Sequence, residues 1–95
     1  MSSNEHDVRK ALVTLAIETI LLRIGKPAYD EIIGRLYRDY KCYFPDCYEH
    51  PEYLKKILDD IYGKCSGTII ESIKKQLEGF ETQKGIDMFI ARISE

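Results

Sequence analysis

The apolar residues from Asn4 to Ile24 recur with the 3.6-residue period of an amphipathic α-helix. Polar positions are sparse in this segment, so apolar side chains cover most of the helix circumference. We therefore expect a first helix that ends at Gly25 and is surrounded by other helices. One predicted face contains Val8, Leu12, Leu15, Ala16, Thr19 and Leu22, and it is widened by Val13, Ile17, Ile20, Leu21 and Ile24.

Two further helices are predicted to begin at prolines. The fixed φ and missing N–H of Pro27 and Pro51 suit the first helical position. We expect the second helix to continue to about Lys41 and the third to Tyr62, where Gly63 supplies a C-terminal stop. The inward stripes are Tyr29, Ile32, Ile33, Leu36, Tyr37 and Tyr40 in the second helix, and Leu54, Ile57, Leu58 and Ile61 in the third.

The last part of the chain predicts two more helices. Ser66 can cap a fourth helix that ends near Gly79, and Thr82 can open a short fifth. No alternating β pattern is left over, so the predicted fold is all-α, a compact bundle of four to five helices. The inward residues are Ile69, Ile70, Ile73, Leu77 and Phe80 in the fourth helix, and Ile86, Phe89, Ile90 and Ile93 in the fifth.

Length and composition limit the class of protein. A chain of 95 residues builds one core, so residues 1–95 are predicted to form a single domain. An apolar share of 44% with 32% charged residues is typical of a folded chain rather than a disordered one. The net charge of -2 argues against a protein that binds nucleic acid or anionic lipid by charge alone.

No membrane or export signal is evident in the sequence. Glu5 and Asp7 stand where a signal peptide has a basic region, and the apolar run from Ala11 to Leu22 is too short for a bilayer. Three cysteines are an odd number and cannot all pair within one chain. We therefore expect reduced thiols, no membrane contact and a cytoplasmic location.

Metal binding is one chemical hypothesis for the cysteines. Zinc takes thiolate and imidazole ligands in a tetrahedral shell, and the chain offers Cys42, Cys47, His50 and Cys65. The spacing lacks the paired ligands of a zinc knuckle, and the fourth ligand would come from beyond the third helix. Alternatively, the cysteines are small core residues and His50 helps to cap the Pro51 helix. We predict no metal site and no cofactor.

Cysteine catalysis is a second hypothesis, because Cys47 lies near His50 in sequence and a thiolate beside an imidazole can attack acyl groups. Nothing recognisable supplies an oxyanion hole or an orienting third residue. We predict that the protein is not an enzyme.

DNA binding is a third hypothesis. Two helices joined by a tight turn at Gly25 resemble the start of a helix-turn-helix domain, in which Arg35, Arg38 and Lys41 would face phosphate. Acidic residues one turn away can neutralise Arg35, and no hairpin wing or basic arm is present in the sequence. A DNA-binding regulator therefore stays the alternative function.

The segment Cys42–His50, here called the connector, concentrates aromatic, sulfur and imidazole groups between the second and third helices. Tyrosine buries a large ring at low entropy cost while its hydroxyl stays hydrated, which suits protein interfaces. We predict that Tyr43, Phe44, Tyr48 and Tyr53 form a partner-binding surface. The alternative is that these rings close one end of the bundle, and both roles can hold at once.

The segments IGKPAYDEIIGRLYRDYKCYFPDCYEHPEYLKKIL and IIESIKKQLEGF, with the tail around Gln83–Ile86, resemble a family of small all-α output domains in archaeal signal-transduction proteins, seen especially in ammonia-oxidising archaea. The resemblance covers most of the chain beyond the first helix. It implies a cytoplasmic module that converts an input from a sensor into contact with a downstream partner. We therefore expect a non-enzymatic signalling domain that binds a protein partner or a second copy of itself.

Overall fold

A computed structural model describes residues 5–80 and 84–95, and these ranges fold into five α-helices with no strand among them. The predicted all-α bundle is therefore confirmed. Its radius of gyration, 12.7 Å, matches the value of about 13 Å expected for a compact domain of this length. The helices are α1 (Glu5–Ile24), α2 (Lys26–Tyr40), α3 (Pro51–Tyr62), α4 (Ser66–Gln76) and α5 (Ile86–Ile93), with 3-10 segments at Phe44–Tyr48 and Gly63–Cys65.

The helix boundaries agree with the proline and glycine positions in the sequence. Pro27 and Pro51 both lie in the first turn of their helices. Helix α2 ends at Tyr40 and is capped by Lys41, whose left-handed φ of 56° lets its backbone N–H bond the carbonyls of Leu36 and Tyr37. The predicted opening residues Asn4 and Thr82 lie outside the described residues.

The core draws on every helix and on the connector. Phe80 is an exception to the predicted inward stripes, because it follows the end of α4 and is partly exposed. Within the described ranges, no helix is long and apolar enough to cross a membrane. The largest fully buried side chains are Ile17, Leu21, Ile32, Leu36, Leu54, Ile57, Leu58, Ile73, Leu77, Ile86, Phe89 and Ile93.

Helix α1 is not the central helix that its composition predicted. It contacts α2, α4 and the connector on one side, where Val13, Ile17 and Leu21 are fully buried. The predicted inner face included Val8, Leu15 and Leu22, but these three side chains are exposed. Apolar residues occur around most of the circumference of α1, so periodicity alone could not show which side the other elements cover.

Candidate functional site

The connector turns through the 3-10 segment Phe44–Tyr48 and is fixed by local hydrogen bonds. The backbone N–H of Tyr43 donates to Asp46 Oδ2 at 2.9 Å, and the backbone N–H of Asp46 donates to the Tyr43 carbonyl at 3.0 Å. Pro45, in the first turn, needs no backbone donor there. This reciprocal pair of bonds sets the direction in which each ring of the connector points.

Two of the four predicted partner-binding rings point into the core. Phe44 and Tyr48 are buried, and each meets a ring of another helix edge-on. The centroid of Phe44 lies 5.5 Å from that of Tyr29 in α2, and Tyr48 lies 5.3 Å from His6 in α1. Both rings are therefore part of the hydrophobic core.

Tyr53 is half-buried in a stack of rings between α2 and α3. Its ring lies parallel to that of Tyr40, with 4.1 Å between centroids, and parallel to that of His50 at 4.6 Å. Offset stacks at such distances add to the energy of area burial. Tyr53 therefore joins two helices and the end of the connector.

Tyr43 alone of the four predicted rings is well exposed, at 58%, and its neighbour is a ring that the sequence analysis assigned to the core. The centroid of Tyr37 lies 5.7 Å from that of Tyr43, and Tyr37 is 49% exposed. Lys41 Nζ lies 4.9 Å from the centre of the Tyr37 ring, within the range of a cation–π contact. We call Tyr37, Lys41 and Tyr43 the tyrosine surface.

A groove of about 140 Å³ opens beside the tyrosine surface. At its rim the Tyr29 hydroxyl donates to the Glu18 carboxylate at 3.3 Å. Partial burial and the charge of Glu18 raise the pKa of Tyr29, so this phenol stays a donor. The groove is lined by Glu18, Tyr29, Ile33, Leu36, Tyr43, Phe44 and Pro45.

The far end of the connector is held by charged groups from the first and last helices. Lys10 in α1 donates to the Glu49 carboxylate at 3.5 Å, and His6 Nε2 lies 3.3 Å from Glu49 Oε2. Arg92 in α5 donates to the Glu49 carbonyl at 3.2 Å and to the Glu52 carboxylate at 2.6 Å. The connector is thus linked by these contacts to α1 and α5, the first and last helices.

Glu52 also accepts from His50, at 3.1 Å between Nδ1 and Oε2. Partial burial opposes ionisation of this carboxyl, but its own backbone N–H, His50 and the charge of Arg92 outweigh that effect. The pKa of Glu52 is therefore lowered.

The candidate metal ligands Cys42, Cys47, His50 and Cys65 are not brought together. Cys42 is partly buried, Cys47 is buried, and Cys65 lies exposed beyond α3. The thiols of Cys42 and Cys47 face the carbonyls of Tyr40 and Tyr43, respectively. In the described part of the chain, no three His, Cys, Asp or Glu side chains are grouped as a metal ion requires.

Cys47 lacks the environment of a reactive thiol. Burial, followed by the nearby Cys42 and acidic groups, raises its pKa to about 12. A nucleophilic cysteine needs the opposite, an accessible site whose positive potential favours the thiolate. Cys47 acts instead as a small apolar core residue.

The candidate phosphate-binding residues of α2 and its C-cap are paired with acids or with a ring. Arg35 lies 3.4 Å from Glu31, and Arg38 lies 3.1 Å from Asp39. Lys41 lies over Tyr37, as described above. Both arginines are therefore locally neutralised, which lowers the potential that a phosphate backbone would meet.

Comparison with known proteins gives no match, whether to a protein-family profile, a curated protein or a solved structure.

Proposed function

We propose that this chain is a non-enzymatic, signalling-associated interaction domain that binds a protein partner through the tyrosine surface and the adjoining groove. One observation supports the proposal: the exposed rings of Tyr37 and Tyr43 contact each other and lie beside a groove with an apolar floor. The signalling part of the proposal rests on the resemblance of the connector and its flanking helices to output domains.

Two exposed tyrosines in contact are suited to binding. Each ring has few rotatable bonds, so little conformational entropy is lost when a partner covers it. Tyr43 is also held by the hydrogen bonds of the 3-10 segment at its backbone, so its position is set before a partner arrives. Preorganisation of this kind raises affinity by reducing the ordering cost of association.

The groove defines the chemistry of the partner. Ile33, Leu36 and Phe44 form an apolar floor, and the space suits one aliphatic or aromatic side chain. Glu18 adds a negative charge at the rim. The expected partner is therefore a peptide segment with an apolar anchor residue and a basic group nearby.

The alternative of a helix-turn-helix regulator would use Arg35, Arg38 and Lys41. Both arginines are paired with acidic residues, so their geometry does not favour a DNA-binding regulator over a protein-binding domain. Duplex DNA is therefore included in the test below as a competing ligand.

The experiment uses a displayed library of random peptides selected on the full chain. Selected peptides are synthesised and titrated into labelled protein while amide chemical shifts are recorded. We expect shifts at the groove and tyrosine surface, and at least about a tenfold loss of affinity in Tyr37→Ala/Tyr43→Ala, since exposed aromatic anchors dominate small interfaces.

Met88→Ala is the matched control, because Met88 in α5 is similarly exposed, at 56%, but lies outside the groove. Peptides that bind both variants as well as they bind the wild type would overturn the proposal. So would a salt-sensitive response to mixed-sequence duplex DNA centred on Arg35 and Arg38, which would favour the regulator.

A further inference from the structure

The groove beside the tyrosine surface does not end at Glu18. A second, shallow groove of about 450 Å³ continues along α1, and both Glu18 and the connector residue Pro45 line the two spaces. We call this second space the α1 groove. One side of α1 forms its floor, where residues recur at spacings of three or four and so lie along one line of the helix: Asp7, Ala11, Leu15 and Glu18.

The α1 groove has an acidic residue without a basic partner at each end. Within residues 5–80 and 84–95, neither the Asp7 carboxylate nor the Glu18 carboxylate forms an ion pair. The floor between them is uncharged, with exposed Ala11 and with Leu15, which is 61% exposed. Each end of the groove therefore favours a positive charge, and its middle favours an apolar contact.

The basic residues beside Asp7 are directed to other carboxylates. Lys10, which also lines the α1 groove, donates to Glu49 of the connector at 3.5 Å. Arg9 donates to Glu5 one turn earlier at 3.2 Å. Neither cation neutralises Asp7, so the groove keeps an excess of negative charge.

We propose that the α1 groove takes the continuation of the same partner segment, and that this segment is an extended, basic peptide. The inference rests on the proposed function. Asp7 and Glu18 are eleven residues apart, which is about 16 Å along a helix. An extended chain covers that distance in about five residues. The peptide thus has an apolar anchor beside the tyrosine surface, a basic residue facing Glu18, and a second basic residue about five positions farther on, facing Asp7.

The volume of the α1 groove favours an extended segment over a helical one. A helix with its side chains is about 10 Å across, so a 16 Å length of it occupies more than about 1,000 Å³. The α1 groove offers about 450 Å³. The aliphatic stem of a lysine or arginine can also cover Leu15 while its charged end reaches a carboxylate.

The experiment displays peptides of about twelve residues, long enough to span both grooves, with one fixed leucine and random flanks on both sides. They are selected on the full chain, and the selected peptides are titrated into labelled protein. We expect two basic residues about five positions apart, and amide shifts that continue from the tyrosine surface past Leu15 to Asp7.

Exchange of the charges tests the contact with Asp7. Changing the second basic residue of a selected peptide to glutamate should weaken its binding to the wild type about tenfold at low salt, and Asp7→Lys should restore most of that loss. Asp7→Lys should also weaken the parent peptide several-fold. Both effects should shrink as salt screens the charges.

Glu78→Lys is the matched control, because Glu78 is exposed and forms no ion pair within the described ranges. It changes the net charge by the same amount as Asp7→Lys but lies outside both grooves. It should bind the parent peptide as the wild type does. Circular dichroism checks that both variants keep their helical content.

Selected peptides that lack a second basic residue would overturn the inference. So would equal losses in Asp7→Lys and Glu78→Lys, or failure of Asp7→Lys to restore binding of the glutamate peptide. If binding is lost in Tyr37→Ala/Tyr43→Ala but unchanged in Asp7→Lys, the proposed function stands and the extension along α1 is wrong. If binding is unchanged in Tyr37→Ala/Tyr43→Ala, the proposed function is wrong, and the extension with it.

Discussion

The rings that point inward from the connector and those on the tyrosine surface differ in what surrounds them, although they have similar chemistry. Phe44 and Tyr48 meet rings of α2 and α1 in the core, whereas Tyr37 and Tyr43 meet each other and remain half-exposed or more. Adjacent residues such as Tyr43 and Phe44 therefore have different roles. Aromatic density in a sequence identifies an important segment, but the backbone turn decides which rings are structural.

The largest test of this difference compares alanine substitutions at two neighbouring positions. Phe44→Ala should lower the free energy of unfolding by about 3–5 kcal/mol, because it leaves a cavity in the core. Tyr43→Ala should change it by less than about 1 kcal/mol, since that ring is 58% exposed. Urea unfolding followed by far-UV circular dichroism measures both values. Equal losses at the two positions would remove the distinction between inner and outer rings.

A sharper test concerns the space around the Tyr48 ring. Gly85 has a φ of 102°, and a Cβ at this position would overlap the Tyr48 hydroxyl. Gly85→Ala should therefore lower the free energy of unfolding by about 2–3 kcal/mol, through backbone strain and displacement of the ring together.

Gly79→Ala is the control for backbone strain alone. Gly79 has a similar φ of 96°, but nothing lies within 4 Å of the added Cβ. We expect a loss of about 1 kcal/mol there. If thermal unfolding gives the same loss at both glycines, Tyr48 is not held tightly against Gly85.

The smallest predicted effect concerns the charged end of the connector. Because the pKa of Glu52 is lower in the folded protein, its ionised form stabilises the fold above the unfolded pKa, near 4.5. This contribution disappears as the pH falls through the lowered pKa. Glu52→Gln should cost less than about 1 kcal/mol at neutral pH, since the side chain is half-exposed, and nothing in acid below that pKa.

Urea unfolding at neutral pH and at a pH below the lowered pKa of Glu52 measures how the cost of Glu52→Gln depends on pH. Glu78→Gln, at an exposed glutamate after α4, is the control. A pH-independent cost of Glu52→Gln would contradict the role of its ionised carboxylate. If Glu52→Gln lowered the free energy of unfolding more than Phe44→Ala does, the charged groups at the end of the connector would stabilise it more than its buried rings do.

Much of the fold follows from local signals in the sequence. Pro27 and Pro51 mark the starts of α2 and α3 because a proline ring fits the first helical turn. The prediction that Ser66 caps α4 is wrong, because Ser66 is the first residue inside the helix and Cys65 occupies the cap position. The Ser66 hydroxyl instead donates to the side chain of Asp59. The helical periods of α4 and α5 also identified most of their buried residues.

The orientation of α1 and of the connector rings could not be predicted in the same way. Apolar residues surround α1, so the buried side is decided by where α2, α4 and the connector pack. Tyr37 fell on the predicted inward stripe of α2, but the ring lies at the edge of that stripe and meets Tyr43 outside the core. Both outcomes depend on contacts between segments distant in sequence, which periodicity does not contain.

The parallel rings of Tyr40 and Tyr53 give the protein an intrinsic optical reporter. The chain has no tryptophan, so its near-ultraviolet absorption comes chiefly from seven tyrosines. Stacked rings 4.1 Å apart couple their electronic transitions, and this coupling ends as soon as α2 and α3 separate. Near-ultraviolet circular dichroism therefore follows the packing of these two helices without any label, while the far-ultraviolet signal follows the helices themselves.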